Sequence, residues 1–257
     1  MAYSMFDGWL SHIESILERE DRTLLLLLDE FEKLEEAGLK RAFDLLLLLD
    51  WFRTTIQYHP RIALLFSGVH TISEMGRESA LNWSGYFVNV QTLRVSFLHE
   101  DEARRLITKP VSDFAGESLY GDGVVERIIL ETGCHPFLVQ AVCSALIDNL
   151  NTQKRERAEL KDVTRAIDRT FSNWWDTYFR DLWLRTDEQQ RTCLIALRAL
   201  TTADREQIQQ QSGLDDTVVR CTLEALLKRD LVRRNEDETY GISTPIFSTW
   251  VQRSVNM

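Results

Sequence analysis

Leu24-Leu25-Leu26-Leu27-Leu28-Asp29-Glu30 is the stretch from which the rest of the chain can be read. Five apolar residues carry no amphipathic period, and leucine by propensity favours helix. The polar Asp21-Arg22-Thr23 before the run and the acidic stop after it instead suit a short strand. Wholly apolar strands are those buried in a parallel sheet. Such a strand delivers two carboxylates to the carboxyl edge of the sheet, where open α/β sheets bind their ligands. A leucine-rich core segment whose acidic residues cap a helix is the alternative, and the seven residues alone leave both open.

The flanks extend the pattern. Residues Tyr3 to Glu20 place Phe6, Trp9, Leu10, Ile13, Ile16 and Leu17 at three- and four-residue steps, which predicts an amphipathic helix. Leu39 to Tyr58 contains neither Gly nor Pro and predicts a helix ended near His59-Pro60. Arg61 to Phe66 reads as a second buried strand, stopping at Ser67-Gly68. Thr71 to Gly85 reads as loop, and the Val- and Phe-rich Tyr86 to Phe97 as a third strand. Helices are expected over His99 to Thr108, Val124 to Thr132 (closed by Gly133), Pro136 to about Asn149, Leu160 to Phe171 and Asn173 to Leu184. The fold class is therefore α/β, mostly helical: a parallel sheet followed by a helical cap.

The last part has a different order. Asp187 to Leu200, Asp204 to Gln211 and Asp215 to Arg229 predict three short helices. Leu231 to Arg234 and Thr239 to Ser243 then flank the acidic turn Asn235-Glu236-Asp237-Glu238, and Pro245 to Ser254 closes with a further helix. Three helices and a hairpin are the order of a winged helix. The expected divisions are 1–110 for a partial α/β core, 111–185 for a helical lid and 186–257 for a winged-helix domain.

Composition narrows the function classes. The 257 residues contain 30 Lys plus Arg and 40 Asp plus Glu, a net charge of −10, which disfavours a protein that coats nucleic acid. The longest apolar runs are the two sets of five leucines, far short of the ~20 residues that cross a bilayer. No secretory leader pattern is present at Met1, and a cytoplasmic location is expected. Cys134, Cys143, Cys193 and Cys221 form no C-x-x-C pair and are expected to be buried, reduced thiols. The five His are scattered, so a metal site built from side chains alone is not expected.

The carboxylate pair carries the chemistry. Leu24 to Glu30 fits the Walker B pattern, in which the first acid holds Mg²⁺ through water and the second polarises the water that attacks a γ-phosphate. Residues 24–184 resemble the latter part of an AAA-like P-loop ATPase of the STAND group, the signal-transduction ATPases with numerous domains. Leu24 to Leu34 is similar to that group's strand and acidic segment, and Ile62 to Gly68 to the next strand with its sensor-1 region. Phe97 to Ala103 is similar to the start of the lid, and Gly133-Cys134-His135-Pro136 to its G-x-H-P motif. The resemblance implies ATP and Mg²⁺ as ligands. It implies Asp29 for the metal, Glu30 as the catalytic acid, Ser67 as sensor, and His135 and Pro136 as nucleotide contacts. Ser67 departs from the more usual Asn or Thr. Arg94 is either a charge-sensing arginine near the site or a solvated surface residue. His135 and Pro136 also fit a plain helix start after a glycine C-cap.

One departure is decisive for activity: G-x-x-x-x-G-K-[ST] occurs nowhere, and no Gly is followed by Lys. Only 23 residues precede Leu24, so the chain is expected to be a piece of a longer ATPase, not competent for hydrolysis alone, and prone to self-association through an open strand edge. In the resembled family the C-terminal module relays the state of the ATPase to other domains, and oligomerisation is left open. The alternative is a DNA-binding regulator without enzymatic activity, led by the winged helix. Its third helix carries Arg220, Lys228 and Arg229 against Asp215, Asp216 and Glu224, and its wing tip is acidic, which disfavours contact with phosphate. A helical scaffold with no nucleotide role is the third reading. The aromatic residues Phe171, Trp174, Trp175, Tyr178, Phe179 and Trp183 are expected to seal lid against winged helix.

Overall fold

The computed structural model describes residues 2–69, 72, 75–76, 79–111, 119–170 and 176–255. The chain divides into two compact units, residues 1–93 and 94–257.

Unit 1 begins with α1 (Ala2–Arg19) and the leucine strand β1 (Leu24–Leu28), followed by α2 (Lys33–Leu39), α3 (Leu45–Tyr58), β2 (Ile62–Phe66) and the short α4 (Trp83–Tyr86). β1 and β2 pair in parallel, from Leu24 opposite Ile62 to Leu28 opposite Phe66. The expected strand pair is therefore present, but not buried as expected: no residue of β1 is buried, and of β2 only Ile62 is. The second leucine run behaves differently from the first because Asp44 precedes it. The Asp44 carboxylate accepts the Leu47 N–H at 3.1 Å and starts α3 there. The helix expected from Leu39 thus begins only at Leu45; Leu39 instead ends α2, which the sequence reading did not foresee.

The core of unit 1 gathers Phe31, Leu45, Leu49, Phe52, Trp83 and Phe87, with Phe66 of β2 edge-on to Phe52 at 5.1 Å. The buried Glu35 carboxylate accepts the N–H groups of Gly76 at 3.2 Å and Ser79 at 3.1 Å, pinning the chain after β2. The other face of the sheet is uncovered among the described residues: Leu25, Leu27 and Leu65 are 50, 68 and 45% exposed. The third strand expected within Tyr86 to Phe97 does not form. α4 takes up Tyr86, and residues 87–97 carry no regular structure. Their β-forming residues find no ladder partner among the described residues, and strand propensity without pairing does not make a strand.

Unit 2 contains α5 (Glu100–Thr108), α6 (Val124–Thr132), α7 (Pro136–Gln153), α8 (Leu160–Thr170) and α9 (Asp176–Leu184). There follow α10 (Glu188–Leu200), β3 (Thr202–Ala203), α11 (Arg205–Ser212), α12 (Asp216–Lys228), β4 (Val232–Arg234), β5 (Tyr240–Ile242) and α13 (Pro245–Val255). The expected helix boundaries hold closely because the caps are explicit. Asp187 and Asp204 each accept an N–H three residues on at 2.8 Å, and Gly133 and Gly213 close helices in the left-handed region. The two-residue β3 escaped the sequence reading. It pairs with β5 to give the antiparallel order β3-β5-β4. One continuous core runs through the unit, from Ile128, Leu138 and Leu146 to Leu194, Leu226 and Trp250.

The cysteine expectation is corrected. All four thiols are free, but Cys193 alone is buried, and Cys221 is exposed because it lies on the outer face of α12. Phe171, Trp174 and Trp175 lie outside the described residues. Tyr178 and Phe179 lie ring to ring at 5.3 Å, and the Trp183 ring lies 6.0 Å from Trp250.

Asp162, at the start of α8, is buried, 1% exposed. Burial acts to raise its pKa. The Arg155 guanidinium at 2.9 Å and the Glu159 N–H at 2.9 Å outweigh this and hold it below the usual value. A carboxyl with a lowered folded pKa adds stability above its unfolded pKa, about 4, and loses it as pH falls through the folded value. Asp162→Asn should therefore lower stability at pH 7 and flatten the loss as pH falls below about 4. Urea unfolding of both proteins across that range checks this; parallel pH profiles would refute it.

Candidate functional site

Parallel pairing is what assembles the first cluster. Because Leu28 lies opposite Phe66, the residues that follow each strand emerge side by side. The backbone ladder continues past the strands, with Ser67 N–H donating to Leu28 O at 2.9 Å and Phe31 N–H to Ser67 O at 3.1 Å. Ser67 Oγ then donates to Asp29 Oδ1 at 2.6 Å, and the Glu30 N–H to the same oxygen at 3.0 Å. These two bonds, the serine's first, lower the pKa of Asp29, so it is ionised at neutral pH. Asp29 and Ser67, expected from sequence at one site, meet here. Glu30 adjoins them in the left-handed region at φ +50°, a backbone bend that redirects the chain into α2.

Glu32 is the residue that sequence reasoning missed. Its Oε1 accepts the Val69 N–H at 3.4 Å, and its Oε2 is buried with no hydrogen-bond partner among the described residues. The carboxylate crosses Gly68 so closely that a Cβ there would lie 2.1 Å from Oε2. The Glu32-Gly68 spacing carries no motif; only the strand register brings the two together.

The donor set suits magnesium in one respect. Hard Mg²⁺ takes one or two carboxylates and completes its shell with water and phosphate oxygens. Asp29 offers one exposed, ionised carboxylate, and no group of three or more His, Cys, Asp or Glu among the described residues forms a cage of its own. The residues fit a metal that arrives with a phosphate ligand.

The second cluster lies in unit 2. Gly133 ends α6 at φ +56°, Cys134 follows at φ +62°, and Pro136 starts α7 at its first turn. His135 is largely buried. Its ring lies 4.9 Å from Phe97, and its Nε2 shares a 3.1 Å hydrogen bond with the Tyr178 hydroxyl. Burial lowers the His135 pKa, so the ring is neutral at pH 7. The bend backs directly onto Ser243, whose carbonyl oxygen would lie 2.5 Å from a Cβ at position 133. Arg94 is an exposed residue that opens unit 2. Its guanidinium is bonded to the Leu227 carbonyl and, at 2.6 Å, to Asp230.

The outer face of α12 is electrically muted. Arg220 pairs with Glu224 at 3.2 Å, Asp216 with Arg205 at 2.8 Å, and Arg234 on β4 with Glu238.

No protein-family model matches the chain, and no curated protein is similar to it in sequence. Solved structures are similar. A Walker-type ATPase of Pyrococcus abyssi matches 95% of this chain and 66% of its own length, at 13% identity and a TM-score of 0.56. The ORC2 protein of Aeropyrum pernix matches 96% of this chain and 70% of its own, at 13% identity and TM-score 0.45. The RuvB Holliday junction branch migration motor of Thermotoga maritima matches 95% and 74%, at 16% identity and TM-score 0.42. The chain thus spans about two thirds of the Pyrococcus protein and shares the α/β fold of a P-loop ATPase with it.

Proposed function

We propose that this chain is the switch portion of a STAND-type ATPase. It holds the magnesium side of a nucleotide site on unit 1, a helical lid over 111–185 and a winged-helix relay over 186–257. The observation that carries the reading is the Ser67–Asp29 pair at the carboxyl ends of two adjacent parallel strands. Bound ATP·Mg²⁺ would supply the phosphoryl chemistry. Asp29 holds the metal, Ser67 fixes the Asp29 carboxylate and reports on the γ-phosphate, and Glu30 orients the attacking water. His135 and Pro136 are the lid positions assigned to the nucleotide. The neutral His135 ring, packed on Phe97 and Tyr178, acts by holding the bend in shape.

The phosphate-cradling loop is absent from the sequence, so hydrolysis requires it from another segment or chain. The uncovered sheet face of Leu25, Leu27 and Leu65 supports this: parallel sheets are normally covered on both faces. A segment bringing the loop with its own strand and helix would cover that face. The muted charge on α12 favours a relay over a DNA reader, and partners are then other domains of the same protein.

Magnesium-dependent binding of a fluorescent ATP analogue to the full chain tests the reading. Binding is expected to be weak and to fall at least tenfold in Asp29→Ala. Equal binding by the variant overturns the assignment of Asp29. Salt-dependent duplex binding in its place would support the regulator led by the winged helix.

A further inference from the structure

Residues 94–98 open unit 2 outside any helix or strand. Arg94 and Ser96 reach one target: Arg94 Nη2 and Ser96 Oγ donate to Asp230 Oδ1 at 2.6 and 2.8 Å. Arg94 also donates to the Leu227 carbonyl in the last turn of α12. Val95, between them, is 88% exposed. The next two residues take hold elsewhere. The Phe97 ring lies against His135, and the Leu98 N–H donates to the Cys134 carbonyl at 3.1 Å. Five consecutive residues therefore tie the turn after α12 to the bend before α7. Both places are backbone conformations that non-glycine residues adopt at a cost, with Asp230 at φ +55° and Cys134 at φ +62°.

A lone exposed ion pair would contribute little. Here one arginine serves a carboxylate and a helix carbonyl, the carboxylate serves two donors, and the same strand of chain is held again at its far end. Cooperative holds of this kind are what mechanical coupling requires.

We propose that residues 94–98 are a coupling strap, through which any displacement of the chain at Leu93 reaches the α12–β4 turn and the Gly133–Pro136 bend together. The winged-helix portion and the lid then answer as one body, and the signal need not pass helix by helix. What the motion signifies rests on the relay reading above; the strap itself does not.

Hydrogen exchange of the full chain, without nucleotide, tests the strap. In Arg94→Ala/Ser96→Ala, amides at 227–235 and at 133–135 are both expected to exchange faster, on the order of tenfold, with residues 138–150 unchanged. Acceleration at 227–235 alone, or at neither place, overturns the proposal. Acceleration across the whole unit also overturns it, since it would mean general destabilisation. The exchanged pair Arg94→Asp/Asp230→Arg is expected to restore more protection at both places than either single change leaves. Failure of that rescue counts against the pair as the hold. Loss of nucleotide binding would sink the relay reading and leave these outcomes untouched.

Discussion

Phe179→Ala is expected to destabilise unit 2 by about 3–5 kcal/mol, the range for deleting a fully buried aromatic ring. Phe179 is 1% exposed on α9. Its ring lies 5.3 Å from Tyr178, 5.3 Å from Phe247 and 6.1 Å from Trp250, the last two on α13. These rings join α9 to α13. Trp250 is held in addition by a 3.1 Å hydrogen bond from its Nε1 to Asp176 Oδ1 at the start of α9. Its indole cannot swing into the vacated space without breaking that bond, so the cavity should persist. Urea unfolding followed by tryptophan fluorescence checks the value. A loss below about 1 kcal/mol would mean that the site collapses and the cluster is not a seal. Phe179→Leu, which keeps most of the volume, should cost less than half as much.

Gly133→Ala is the second large effect. At φ +56° any Cβ costs about 1–2 kcal/mol in the backbone alone. Here the Cβ would also stand 2.5 Å from the Ser243 carbonyl oxygen and 3.3 Å from the Thr244 side chain. Ser243 N–H donates to Leu231 O at 3.0 Å, so the obstructing segment is itself pinned. Overpacking against it should add about 1–3 kcal/mol. Gly213→Ala separates the two contributions. Gly213 has φ +70° with nothing within 4 Å of its would-be Cβ, so it carries the conformational cost only. Gly133→Ala is expected to exceed Gly213→Ala by the overpacking part, measured by thermal unfolding. Equal losses would show that the contact with Ser243 yields freely and that the bend does not press on the C-terminal part.

Legibility followed the range of the forces involved. Helix ends in unit 2 were readable because their causes are local: Asp187 and Asp204 cap, Gly133 and Gly213 terminate, Pro136 begins. The leucine strands were readable from length and acidic punctuation, and their pairing bore out the expected parallel neighbours. The break between α2 and α3 was visible in principle at Asp44, but an unbroken stretch without Gly or Pro masked it. The third strand failed for the opposite reason: its residues favour pairing, and pairing depends on a neighbour that composition cannot reveal. The candidate site divides the same way. Asp29 was read from the acidic end of the leucine run, and Ser67 from the family resemblance. Glu32 was missed because its place beside Gly68 depends on how α2 turns back over the sheet edge.

The sequence by itself determined the two leucine-run elements, most helices of unit 2, the carboxylates at a strand end and the absence of a phosphate loop, since each is written in contiguous residues. Only the tertiary structure decided that Ser67 fixes Asp29, that Arg94 is spent on Asp230 136 residues away, and that Gly133 has no room for a side chain. Those facts depend on which surfaces meet, and a single chain's local chemistry does not specify its distant contacts.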